Sequence, residues 1–114
     1  LYIKVSYPTL AEELNILSQT TGSKRGSVEK VITAQEIIML QQFVREIHIS
    51  QELIEAVGKL VRATRPTETS DSYVKEWVRW GAGPRAGQAM ILTAKARAIL
   101  HGRLAVSPED IIHV

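Results

Sequence analysis

The sequence predicts an all-α fold, a small bundle of four to five helices preceded by one short strand. Two capping boxes, Thr9 with Glu12 and Thr33 with Glu36, mark helix starts. Apolar residues then recur at intervals of three and four, the spacing that gathers them on one helix face. The only strand-like stretch, Leu1–Val5, has no second strand to pair with. A chain of 114 residues, 45% of them hydrophobic, suits a single core and excludes disorder along its whole length.

Taken in order, Leu1–Val5 is apolar and partly β-branched with Pro8 just beyond it, and reads as the last strand of a preceding domain. The expected division is residues 1–7 as that remnant and 8–114 as the helical domain. Thr9 caps a helix to about Gln19, with Leu10, Leu14 and Leu17 on one face. Thr20–Lys30 is polar and aperiodic and reads as a surface loop; its Lys24–Arg25 pair could touch a phosphate, but a solvated loop is the simpler reading. Thr33 opens a helix in which Ile37, Leu40, Val44 and Ile47 form the buried face. Ser50 caps the next, with Leu53, Val57, Leu60, Val61 and Thr64 as its stripe. Arg62 and Arg65 suit the negative end of that helix's dipole, and Pro66 stops it. A shorter helical piece, Ser72 to Trp80, places Tyr73, Trp77 and Trp80 in one row. Gly81-Ala82-Gly83 breaks the chain, and Pro84 restarts it as a first helical residue. The helix to about His101 is rich in small residues (Ala86, Gly87, Ala89, Ala94, Ala96, Ala98), which lets other backbones come close; it should be the central helix. Gly102 ends it, and Ser107-Pro108-Glu109-Asp110 starts another.

Composition removes several function classes. No cysteine means no disulfide scaffold, no thiolate zinc site and no cysteine nucleophile. Fourteen Lys+Arg against twelve Asp+Glu leave a net charge of only +2, so nucleic-acid binding is permitted without being indicated. No apolar run approaches the roughly 18 residues of a membrane span, and a cytoplasmic location is expected. No G-x-x-x-x-G-K-[ST] loop is present to cradle phosphates. His48, His101 and His113 lack partners at metal-ligand spacing, and the acidic pairs Glu12-Glu13 and Glu109-Asp110 are explained by the dipoles of the helices they open. No catalytic residue and no metal site is assigned.

Two features admit a functional reading. Tyr73, Trp77 and Trp80 beside Lys75 and Arg79 could stack on single-stranded bases, but their helical spacing reads more simply as a buried face. Arg85 is the residue that local rules leave unexplained. It stands in the first turn of the small-residue helix, where the dipole disfavours a cation by roughly 0.3–1 kcal/mol. By spacing it shares a face with Ala89, Leu92, Ala96 and Ile99, which points it toward the packed side. Gly81 and Gly83 allow another surface to approach it. Its planar fork suits a phosphate or a carboxylate, and an internal salt bridge with Glu109 or Asp110 is the alternative.

The chain resembles the lid domain of MoxR-type AAA+ ATPases. The matching segments are Val5-Ser6-Tyr7-Pro8, Glu12-Glu13-Leu14 with Ile16-Leu17, Ile49-Ser50, and Leu60-Val61-Arg62-Ala63-Thr64-Arg65. Trp80-Gly81-Ala82-Gly83-Pro84-Arg85-Ala86, Ala94–Ala98, His101-Gly102-Arg103, Val106 and Pro108–Ile111 continue the match to the end of the chain. The resemblance implies that Arg85 is the sensor-2 arginine, reaching the γ-phosphate of ATP held on a separate α/β core, in its own or a neighbouring subunit. Gly81, Gly83 and Pro84 would shape that approach; the family often has Ser in place of Gly83. ATP and Mg2+ would be bound mainly by that core, so the chain alone should neither hydrolyse ATP nor bind it tightly. The expected partners are the core domain, further copies in a hexameric ring, and client proteins remodelled in a chaperone-like manner. The alternative is a nucleic-acid-binding or structural interaction module.

Overall fold

The computed structural model describes residues 3–23 and 27–114; Leu1, Tyr2 and the Lys24–Arg25 pair lie outside them. The described residues contain six helices: α1 (Leu10–Thr20), α2 (Ala34–Glu46), α3 (Gln51–Ala63), α4 (Ser72–Trp77), α5 (Pro84–Leu100) and α6 (Pro108–Ile112). The short α6 takes the number past the four to five expected, and the all-α class stands. A single parallel bridge, His48 to Ala105, is the β pairing found among the described residues. Ile3–Val5, the described part of the expected strand, is irregular and exposed.

Two compact units are present, Leu1–Val31 and Ile32–Val114. In the first, Thr9 caps α1: its hydroxyl accepts from the Glu12 N–H at 3.4 Å while Glu12 Oε2 accepts from the Thr9 N–H at 2.8 Å. The capping hydrogen bonds hold the Glu12 carboxyl below its ordinary range, the Thr9 N–H contributing most. The apolar row Leu10, Leu14 and Leu17 is exposed.

In the second unit α5 packs against α2, α3 and α6, the central role that its small residues predict. Ala94 and Ala98 are fully buried and form the core with Ile47 and Val106, ringed by Ile49, Leu53, Ile99 and Ile111. Opposite Gly87 lie Val57 and Val61 of α3. A Cβ at Gly87 would sit 3.6 Å from Val57 and 3.5 Å from Val61, so the site has room for a methyl and little more. The expected face of α2 is buried only at its end. Ile47 is buried and Val44 half-buried, but Ile37 and Leu40 stay 44% and 45% exposed. That helix is tied to α5 at its C-terminal end, where Lys95 Nζ donates to the Arg45 carbonyl at 2.9 Å.

The aromatic row departs from its expected burial. Val78 turns to an extended conformation (φ −98°, ψ 121°), so α4 ends at Trp77 and Trp80 leaves the helical row. Tyr73, Trp77 and Trp80 are 69%, 68% and 77% exposed. A helix of six residues offers one narrow inward face, and half-buried Val74 and Val78 occupy it.

A buried carboxylate fastens α6 to α5. Asp110 has no exposed surface. Arg103 donates to it twice, through Nη1 to Oδ2 at 2.6 Å and Nη2 to Oδ1 at 2.8 Å, and Arg97 Nη1 donates to Oδ1 at 2.6 Å. The Ser107 N–H and hydroxyl add two more bonds to Oδ2, at 2.9 and 3.0 Å. Arg103 above all, with Ser107 and Arg97, holds the Asp110 carboxyl far below the usual carboxylate range against the opposing cost of desolvation. With every lone pair answered, burial of the charge becomes tolerable.

Candidate functional site

The sequence-predicted residues Gly81, Gly83, Pro84 and Arg85 lie together on the connection into α5, and α3 holds that connection in place. Its last turn ends at Ala63, with Thr64 as C-cap. The Thr64 hydroxyl donates to the Val61 carbonyl at 2.7 Å and accepts the Ala82 N–H at 2.8 Å. Arg65 Nε donates to the Ala82 carbonyl at 3.0 Å, while its Nη1 donates to Glu68 Oε1, also at 3.0 Å. Glu68 is paired in turn with Arg62 at 2.6 Å. Both polar groups of one loop peptide residue are thus taken by consecutive side chains of a distant segment.

Gly81 makes this contact possible. Its φ is +73°, a region that side chains with a Cβ avoid, and a Cβ there would lie 2.5 Å from the Thr64 carbonyl oxygen. Gly83 differs: its φ is −89° and nothing lies within 4 Å of the place a Cβ would take. Gly81 is required by the fold, whereas Gly83 leaves open space beside the start of α5. Pro84 stands at the first helical position, as its fixed φ predicts.

Arg85 does not face the packed side. It is exposed and takes no part in a hydrogen bond or ion pair among the described residues. The two fully buried residues of α5, Ala94 and Ala98, lie on the far side of the helix axis from Arg85, while on Arg85's own side Leu92, Ala96 and Ile99 are half-buried and Ala89 is exposed. The internal salt bridge once open to it is also absent, because Asp110 is already saturated by Arg97 and Arg103. Nor does the helix offer Arg85 a local counter-charge. The first turn of α5 carries no acid and Gly83 supplies no side-chain cap, whereas the other helices begin with a capping Thr, Ser or Asp. An exposed guanidinium over an uncapped helix N-terminus is a place where positive charge is concentrated and unspent.

This arrangement fits an anionic oxygen presented from outside the chain, a phosphate or a carboxylate. Among the described residues no group of three or more His, Asp and Glu is placed to hold a metal ion. Sequence reasoning missed Thr64 and Arg65 as part of the site: a helix-end Arg is ordinarily a cap for its own carbonyls, and contacts across 17 and 18 residues leave no local signal.

The profile of the AAA lid domain matches residues 70–114, which take in α4, α5 and α6. Chaperone MoxR1 of Mycobacterium tuberculosis is 32% identical over 113 residues, 98% of this chain and 30% of that protein. The chain carries an AAA+ lid domain of the MoxR type. The uncharacterized protein YeaC of Bacillus subtilis is 31% identical over 110 residues, 96% of this chain and 32% of that protein. The crystal structure of a protein from Cytophaga hutchinsonii, predicted to be an ATPase, superposes on this AAA+ lid with a TM-score of 0.87 at 27% identity. That match covers 96% of this chain and 34% of the other. The lid therefore spans about a third of the length of these relatives. No helix among the described residues is long and apolar enough to cross a membrane.

Proposed function

We propose that this lid senses nucleotide for a MoxR-like ATPase, with Arg85 contacting the terminal phosphate of ATP held on a separate core domain. The observation that carries the reading is the exposed guanidinium, unpaired among the described residues, in the uncapped first turn of α5. A charge-assisted contact at that point is stronger with ATP than with ADP, so it can link hydrolysis to movement of the lid. Gly83 leaves the approach open, while Gly81 and Pro84 set where the helix begins. The core would supply the phosphate loop and the ligands of Mg2+. The chaperone name of the mycobacterial relative supports a parent that remodels client proteins; a hexameric ring in the cytoplasm completes the proposal. In the full-length ATPase, Arg85→Ala should lower turnover and weaken the preference for ATP over ADP. Unchanged turnover and unchanged preference would remove the sensor role from this residue.

Nucleic-acid binding is kept as a second reading by the exposure of Tyr73, Trp77 and Trp80, with the Arg79 guanidinium 5.1 Å from the Trp80 ring centre. It requires salt-dependent binding of single-stranded DNA that Trp77→Ala abolishes. Arg62 and Arg65 do not add to that surface, since Glu68 engages both.

A further inference from the structure

We propose that Thr64 and Arg65 are positioning residues for Arg85, setting the direction from which its guanidinium reaches the nucleotide; this rests on the sensor reading above. The Ala82 peptide is held from both sides, its N–H by Thr64 at 2.8 Å and its carbonyl by Arg65 at 3.0 Å. Gly81 is pressed against the Thr64 carbonyl, so the loop cannot shift toward α3. Only Gly83 and Pro84 separate this clamp from Arg85. Pro84 has a fixed φ, and Gly83 is already tied to the helix through the Ala86 N–H, which donates to its carbonyl at 3.0 Å. A displacement of Ala82 is therefore passed to Arg85 with little slack.

The clamp is itself braced. Arg65 reaches across to another segment instead of capping α3, and Glu68 keeps it extended through a contact that Arg62 shares. The peptide it holds belongs to a loop that is only half-buried at Ala82 and exposed at Gly81 and Gly83, so no buried polar group demands two side chains there. Their common effect is to fix the start of α5 and hence the base of Arg85. Arg65 is thereby assigned to the lid's own geometry, not to nucleotide.

The test uses the full-length ATPase with ATP and ADP as probes, comparing wild type, Thr64→Val, Thr64→Ser, Arg65→Gln, Arg85→Ala and the Arg65→Gln/Arg85→Ala pair. Arg85→Ala should reduce the affinity ratio of ATP to ADP by roughly 5- to 150-fold. Arg65→Gln and Thr64→Val should each reproduce part of that loss, about threefold or more, Thr64→Ser should retain the wild-type ratio, and Arg65→Gln should add nothing once Arg85 is gone. A role in stability alone would leave the ratio of a folded variant untouched. If Arg85→Ala lowers the ratio while Arg65→Gln and Thr64→Val do not, the positioning role is refuted and the sensor survives. If the losses multiply in the double variant, Arg65 acts independently and the proposal is likewise overturned. If Arg85→Ala changes nothing, the sensor reading itself fails. Should Arg65→Gln not fold, the Thr64→Val and Thr64→Ser pair decides: loss with Val and retention with Ser support the clamp, and equal ratios refute it.

Discussion

Replacing Asp110 with Asn keeps the shape of the side chain and removes the charge on which α6 depends. The carboxylate is fully buried and accepts from Arg97, Arg103 and Ser107, with both guanidinium contacts as short as 2.6 Å. Removing one partner of a buried ion pair costs about 3–5 kcal/mol, chiefly because the remaining charges lose their compensation. Here the stranded charges are arginines whose side chains are 24% and 35% exposed, so water relieves part of the penalty. Asn can also still accept the Ser107 N–H through its side-chain oxygen, and Ser107 remains as the cap of α6, which keeps that part of the capping box. The expected loss is therefore at the low end, about 3 kcal/mol, a large share of the roughly 5–15 kcal/mol a domain possesses. Urea unfolding followed by far-UV circular dichroism measures it, with Glu109→Gln as control. Glu109 is exposed and its carboxylate accepts no hydrogen bond among the described residues, so the control should stay within about 0.5 kcal/mol of wild type. A loss below about 1 kcal/mol for Asp110→Asn, or an equal loss for the control, would refute the claim that this network anchors α6.

The same carboxylate gives stability a definite pH dependence. Its pKa is lowered on folding, so its contribution is complete above the unfolded value near 4 and is lost as pH falls below it, at about 1.4 kcal/mol per pH unit. Acid titration of unfolding should show that slope in wild type and a flatter one in Asp110→Asn. Gly81→Ala should destabilise the bundle by about 1–2 kcal/mol from its left-handed φ alone, and by more from the clash with Thr64, while Gly83→Ser should be neutral or gain a few tenths by capping α5; both are read as shifts in the urea midpoint. Arg85→Ala should leave the unfolding free energy of this chain within about 0.5 kcal/mol of wild type, because the side chain is exposed and unpaired among the described residues. A large loss would show that Arg85 is a structural residue after all.

The fold was legible wherever a signal is local. Thr9 with Glu12, Thr33 with Glu36, Ser50, Pro84 and Gly102 mark helix ends within one or two residues, because a cap is a contact between neighbours in sequence. The small-residue character of α5 likewise announces the helix on which the others converge, and Ala94 and Ala98 are its buried pair. Periodicity could say which residues of a helix share a face but not whether anything covers it. Ile37 and Leu40 share a face that α5 reaches only at its far end, and the α4 aromatics share one that ends at Val78. The expected burial of Arg85 fails for a related reason: its face is half-buried at Leu92, Ala96 and Ile99 but exposed at Arg85 and Ala89, where the helix begins.

That correction strengthens the functional argument. An arginine directed inward would have needed a buried partner, and Asp110 was the obvious candidate; the structure commits that carboxylate to Arg97 and Arg103. Four arginines of the second unit differ in this from Arg85. Arg62, Arg65, Arg97 and Arg103 are engaged with Glu68 or Asp110 and carry the architecture, so their loss should appear first in stability. Arg85 is engaged with nothing among the described residues, stands where the helix dipole disfavours it, and is carried by a loop clamped through Ala82. A charge that costs stability where it stands, on a mount fixed by two dedicated side chains, is what the proposed contact with a nucleotide would explain. The opposite responses expected of Arg103 and Arg85, one in unfolding and the other in nucleotide preference, follow directly from that division.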